Sequence, residues 1–93
     1  MGAGIGARKI LENDRVIVWD YSWSPGVATP MHFHDKDVVV AYLEDGDLKS
    51  TSVEGNVVIN AYKFGVVTFN RRNRTHTETL VRGKQRAIIT ELK

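Results

Sequence analysis

The sequence predicts an all-β domain, a sandwich or barrel of short strands. Three observations carry this. No segment shows a sustained helical period. Runs rich in Val, Ile, Thr and aromatic residues recur along the chain, a composition suited to a pleated, half-buried surface. Turn signals built on Gly, Asn and Asp separate these runs every ~8–12 residues, the spacing of a sandwich or barrel.

Taken in order, residues 1–7 (MGAGIGA) form a glycine-rich leader. No strand precedes it and no Walker lysine follows in register, so a phosphate-cradling loop is not expected. Residues 8–14 (RKILEND) suit a short edge strand or one helical turn. In Arg15 to Trp23, Val16, Val18, Asp20 and Ser22 alternate with Ile17, Trp19, Tyr21 and Trp23, which make the larger and more apolar face. That face is expected in the core, with Tyr21 or Trp23 lining a pocket. Ser24-Pro25-Gly26 turns the chain. Val27 to His34 is a second extended piece, with Pro30 marking a strand start or edge.

Asp37 to Leu43 is nearly all apolar and is expected to be buried on both faces. Glu44-Asp45-Gly46-Asp47 carries the Asp-Gly pair of a hairpin turn. Leu48 to Val53 reads as a polar strand, and Glu54-Gly55-Asn56 turns into Val57 to Tyr62. Val66 to Phe69, Thr75 to Val81 and Arg86 to Leu92 complete the strands, with a loop at Asn70 to Arg74 and a link across Arg82-Gly83-Lys84.

The totals bound the function. A chain of 93 residues is one small domain, divided here into a leader and edge segment (1–14) and a single domain (15–93). It buries ~60–70% of its unfolded surface, so a partner subunit or a bound metal would help it, and a homodimer is expected. Without cysteine there is neither a disulfide nor a thiolate site, which fits a reducing, cytoplasmic setting. A net charge of +2 is small for a nucleic-acid binder. The basic clusters lack interleaved aromatics, so no nucleic-acid partner is expected. The longest apolar run, Val38 to Leu43, is far short of a membrane span, and no membrane partner is expected.

The chemistry concentrates in three histidines. His32 and His34 are two apart, so on a strand they share a face. His76 lies far down the chain. Three neutral imidazoles that meet would bind Zn, Fe, Ni, Cu or Mn and leave positions open.

The spacing around them resembles the cupin motifs over roughly residues 15–92. Gly26, five residues, His32, Phe33, His34 and later Gly46 follow the first motif. Gly65, five residues, Arg71, Arg72, Asn73, two residues and His76 follow the second. The run Asp37-Val38-Val39-Val40 is similar to short single-domain bacterial cupins, some of them associated with β-alanine breakdown. The resemblance implies a jelly roll, or double-stranded β-helix barrel, with His32, His34 and His76 as ligands to a divalent transition metal (Zn, Fe, Ni or Mn).

The chain departs from the family at three positions. The motif glutamate falls on Val38 or Val39, the proline on Arg71 and the glycine on Asn73. Asn73 is the loop residue best able to adopt a left-handed backbone. Loss of the glutamate leaves a three-histidine site. In thiol dioxygenases of the cupin class such a site holds iron with substrate and O2. Alternatively it holds Zn or Ni with an anionic ligand.

Glu78 shares strand parity with His76 and is a candidate fourth ligand or general base, unless a bulge turns it to solvent. Asp37 is a weaker substitute, or a hydrogen-bond partner that fixes a histidine tautomer. Arg74 shares the same parity and could take a substrate carboxylate, or belong to a solvated basic loop. The expected activity is thus that of a small metal-binding cupin acting on or binding a small anionic metabolite. The alternatives are a non-catalytic small-ligand module and a dimeric barrel with a vestigial site.

Overall fold

The computed structural model describes residues 6–29 and 31–93, apart from the side chains of His32 and Phe33. Among the described residues there are nine strands and no helix. They are β1 (Arg8–Glu12), β2 (Val16–Trp23), β3 (His32–His34), β4 (Asp37–Tyr42), β5 (Gly46–Ser52), β6 (Val57–Tyr62), β7 (Val67–Asn70), β8 (Arg74–Gly83) and β9 (Gln85–Leu92). A five-stranded sheet runs β1-β2-β9-β4-β7 and a four-stranded sheet runs β3-β8-β5-β6. Every strand pairing is antiparallel. This is the jelly-roll arrangement, and no helix is long and apolar enough to cross a membrane.

The two inner faces make the core. Alternation sends Tyr21 and Trp23 of β2 and Val38, Val40 and Tyr42 of β4 inward. They meet Ala87 and Ile89 of β9 and, from the other sheet, Leu48 of β5 and Leu80 of β8. Leu48 and Leu80 face each other across the β5–β8 ladder and are the largest fully buried side chains among the described residues. Tyr42 stacks on Tyr62 of β6 with ring centres 3.9 Å apart, which joins the two sheets near the β6 edge.

The edge segment is a strand, as one of its two sequence readings holds. β1 pairs with β2 through a bulge between Lys9 and Leu11. It is tied down by charge: Asp20 takes two hydrogen bonds from Arg86 and one from Arg8. The Arg86 hydrogen bonds hold the Asp20 carboxyl at about 2, despite the opposing effect of burial.

Two expectations are corrected. The Asp45-Gly46 turn closes no hairpin, because β4 and β5 lie in different sheets. It carries the chain from one sheet to the other, beside the Gly83-Lys84 crossing that leads from β8 to β9. The two crossings pack so closely that a Cβ on Gly46 would sit 2.2 Å from the Lys84 carbonyl oxygen. The buried Gln85 amide staples them. Its nitrogen donates to the carbonyls of Glu44 and Gly46, and its oxygen accepts from the Glu44 N–H. Local turn chemistry identifies a reversal, but whether the next strand pairs with the last or crosses over is decided by packing of the whole roll.

The second correction concerns β4. Val38, Val40 and Tyr42 are buried, but Val39 and Ala41 face outward and are only partly covered within one chain. Likewise, among the described residues of Val27 to His34 only the last three form a strand, and the expectation for Pro30 lies outside the described residues. Pro25 and Ala28 make single bridges to Leu80 and Thr79.

Gly46→Ala should destabilise the protein by roughly 3 kcal/mol, since backbone rather than a movable side chain must yield. Urea unfolding measures this; a change below ~0.5 kcal/mol would show that the crossings are not tightly packed.

Candidate functional site

The site is built on the inner face of β8. Alternation puts Arg74, His76, Glu78 and Leu80 on that face, so the strand grades from charged mouth to apolar floor. On one side β3 pairs with β8 in the register His32↔His76, Phe33↔Thr75 and His34↔Arg74. On the other, β5 places Ser52 opposite His76 and Ser50 opposite Glu78. The segment before β3 is held along β8 as well: Thr29 donates its N–H to the Glu78 carbonyl and accepts from the Glu78 N–H through its hydroxyl.

This register brings two imidazoles together. His34 Nε2 and His76 Nε2 lie 2.9 Å apart, with their rings edge to face. His76 Nδ1 lies 3.0 Å from the Ser50 hydroxyl. If Nδ1 carries the proton and donates it to Ser50, the Nε2 lone pair points at His34 and into the cavity. The expectation for the His32 ring lies outside the described residues. Among the described residues no three His, Cys, Asp or Glu side chains form a metal-binding group. Glu78 therefore does not join His34 and His76 as a ligand in this arrangement.

The cavity beside the imidazoles offers about 40 Å³ to the centres of water-sized molecules, against the ~10–15 Å³ that one water requires. Trp23, Val38, Val40, Tyr42 and Ile89 form its apolar wall. His34, His76, Glu78, Asn70, Arg71 and Arg74 supply the polar side. Of the two valines that could stand at the missing glutamate, Val38 lines the cavity and Val39 faces outward. A wider opening of about 380 Å³ lies against Ser50, Ser52, Asn56, Asn60 and the same His76 and Arg74.

Glu78 faces the cavity and is otherwise surrounded by protein. Among the described residues its carboxyl accepts no hydrogen bond. Burial pushes it up to about 7, with Arg74 pulling weakly the other way. Burial also raises the hydroxyl of Tyr21 to about 12, and Glu78 adds to the shift.

The other candidates separate clearly. Trp23 lines the cavity, and its buried Nε1–H has no partner among the described residues. Tyr21 packs in the core beside Trp23 and is not part of the cavity wall. Arg74 stands at the mouth, where Nη1 donates to the Asn70 side chain. Asp37 is engaged elsewhere: it accepts from the Arg72 backbone N–H at 2.7 Å and pairs with its guanidinium. It thereby pins the Asn70–Arg74 loop, and fixing a histidine is not its role here. Asn73 adopts φ 67° as its sequence position suggests, and its N–H donates to the His34 carbonyl. The sequence reading missed Ser50, a hydroxyl on a polar strand that only the β5–β8 pairing connects with a histidine.

Among solved structures the chain is similar to a cupin domain from Bordetella pertussis Tohama I. The identity is 25%, the TM-score 0.82, and the match covers 98% of this chain and 94% of that one. It also superposes on an RmlC-like cupin with a double-stranded β-helix fold from Methanocaldococcus jannaschii, at 13% identity and TM-score 0.76, covering 99% and 82%. A third is the polyketide cyclase RemF from Streptomyces resistomycificus, at 21% identity and TM-score 0.71, covering 97% and 67%. No family model and no curated protein matches the sequence.

The raised Glu78 carboxyl makes a signed prediction for stability in metal-free protein. Its folded-state value, about 7, lies above the 4.5 of the unfolded chain. The contribution of Glu78 to stability should be fully present below pH 4.5, decline as pH rises towards 7 and then level off. Glu78→Gln should abolish that decline, a gain of roughly 3 kcal/mol at pH 8. Urea titrations of both proteins from pH 4 to 8 check it; parallel pH profiles would contradict it.

Proposed function

The chain has a cupin-superfamily fold, and from that premise we propose that it is a small metal-binding cupin domain. In this reading His34 and His76, together with His32, hold a divalent transition metal, and the pocket takes a small anionic metabolite. The observation that carries the reading is the 2.9 Å approach of the two Nε2 atoms. Two imidazoles bound to one ion at ~2.1 Å and at right angles would have their nitrogens ~3.0 Å apart. The spacing also suits an N–H···N hydrogen bond. Two further features favour the ion. Ser50 is positioned to accept from Nδ1, the arrangement that fixes a ligating tautomer, and both rings open on a cavity with room beyond them.

A bound divalent ion supplies a Lewis acid that polarises an oxygen of the ligand or of water. The rest falls to the protein's own side chains. Val38, in place of a carboxylate, leaves the charge of the ion uncompensated, which favours an anionic ligand. Arg74 and the nearby Arg71 present guanidinium donors at the mouth, suited to a carboxylate. Trp23, Val40, Tyr42 and Ile89 keep the inner wall dry, and Glu78 is the group on the cavity wall able to hold or release a proton. The small volume suits a compact acid better than a long chain.

Untagged protein from the native host should carry about one equivalent of a late first-row metal by elemental analysis. His34→Ala and His76→Ala should each abolish it, and Ser50→Ala should weaken metal affinity ~10–100-fold. Unchanged stoichiometry in both histidine variants would remove the ligand assignment. Arg74→Ala should leave metal content intact and weaken binding of small carboxylates ~10–100-fold by calorimetry; equal affinity would place the anion elsewhere.

A further inference from the structure

In a two-sheet roll the outer faces meet water and are ordinarily polar. The four-stranded sheet follows the rule over most of its outer face. Thr75, Thr77 and Thr79 of β8 and Asp47, Lys49 and Thr51 of β5 form much of it, and among the described residues apolar side chains enter at Val81, beside the β5–β8 bulge, and at the β6 edge. The five-stranded sheet does not. Its register aligns one outward row straight across all five strands: Leu11, Val18, Thr90, Val39 and Phe69. The next row continues through Ile88, Ala41 and Val67, and on the other side Val16 lies beside Leu92. Leu11, Val67 and Phe69 are more than half exposed, and the residues between them are only partly covered.

The charges on this face are confined to its ends and are already paired. Arg8, Asp20 and Arg86 close one end, and Asp37 with Arg72 lies at the other. Between them the face carries no charge, so it lacks the lysines and arginines that would draw it to an anionic membrane.

We infer that the outer face of the five-stranded sheet is a homodimer interface, packed against the same face of a second copy of this chain. Three arguments select that occupant. Two sheets of identical right-handed twist fit face to face by construction, at the small angle of aligned sheet packing. A closed two-fold contact requires a self-complementary patch, which an apolar centre without net charge provides. The area is also adequate. A broad side of a molecule measuring 35 × 29 × 21 Å offers on the order of 1,000 Å², and a stable interface takes ~800 Å² from each partner. Covering this face would bury β4 on both sides, in agreement with its almost wholly apolar sequence. The inference is independent of metal binding, because none of these side chains lines the cavity.

Sedimentation of the untagged full chain at ~100 μM tests it. The expected particle has twice the 10.5 kDa chain mass; a monomer at that concentration overturns the inference. The double variant Val67→Lys/Phe69→Lys alters two already exposed side chains and should raise the dimer dissociation constant at least ~100-fold. Ile59→Lys, an exposed apolar residue on the outer face of the other sheet, should leave the dimer intact. Dissociation by Ile59→Lys without dissociation by the double variant overturns the assignment. Should the double variant misfold, the wild-type protein still decides. With a soluble paramagnetic agent, methyl signals of Val18, Val39 and Ile88 should be protected while those of Ile59 broaden, and equal broadening overturns the inference.

Discussion

The arrangement depends on how a three-residue strand is registered on a ten-residue one. β3 lies against β8 with His34 opposite Arg74 and the His32 backbone opposite His76. Slipping the pair by one residue would turn every β3 side chain to the other face. The ladder is short, so neighbouring contacts must hold it. Thr29 is bound to the Glu78 backbone through both its N–H and its hydroxyl, and Asn73, in its left-handed conformation, donates to the His34 carbonyl. The close imidazole pair follows from backbone hydrogen bonds made on either side of it.

β8 extends this constraint into a gradient. Leu80 is sealed in the core opposite Leu48, Glu78 sits where burial disfavours its charge, His76 meets His34, and Arg74 reaches the mouth. One period-two pattern thus supplies an apolar floor, a buried carboxyl, an imidazole and a guanidinium at the mouth in sequence. The β4 strand supplies the opposing dry wall through Val38, Val40 and Tyr42. Val38 keeps that wall apolar, and Glu78 is the cavity's acidic side chain among those described.

Much of this could be read from the residues because it rests on short-range rules. Alternation alone gave the inward face of Arg15 to Trp23 and the shared parity of Arg74, His76 and Glu78. The tolerance of asparagine for positive φ anticipated Asn73. What could not be read depends on partners distant in the chain. The Asp45-Gly46 turn has the chemistry of a hairpin, yet it carries the chain between sheets because the Gly83-Lys84 crossing packs on it. Ser50 becomes relevant only once β5 lies beside β8. The apolar β4 sequence signalled cover on both faces, whereas a single chain covers only one. That reading measured hydrophobicity correctly, but the outward Val39 and Ala41 are only partly covered by the chain itself.

The central claim is that His34 and His76 present Nε2 to a common point while Ser50 holds Nδ1 of His76. Long-range proton–nitrogen NMR of the histidine rings, recorded as Zn²⁺ is added to metal-free protein, addresses it directly. The account predicts that Nε2 of both rings shifts together to metal-bound values at about one equivalent, with Nδ1 of His76 remaining protonated. Rings that respond separately, or a His76 that binds through Nδ1, would contradict it.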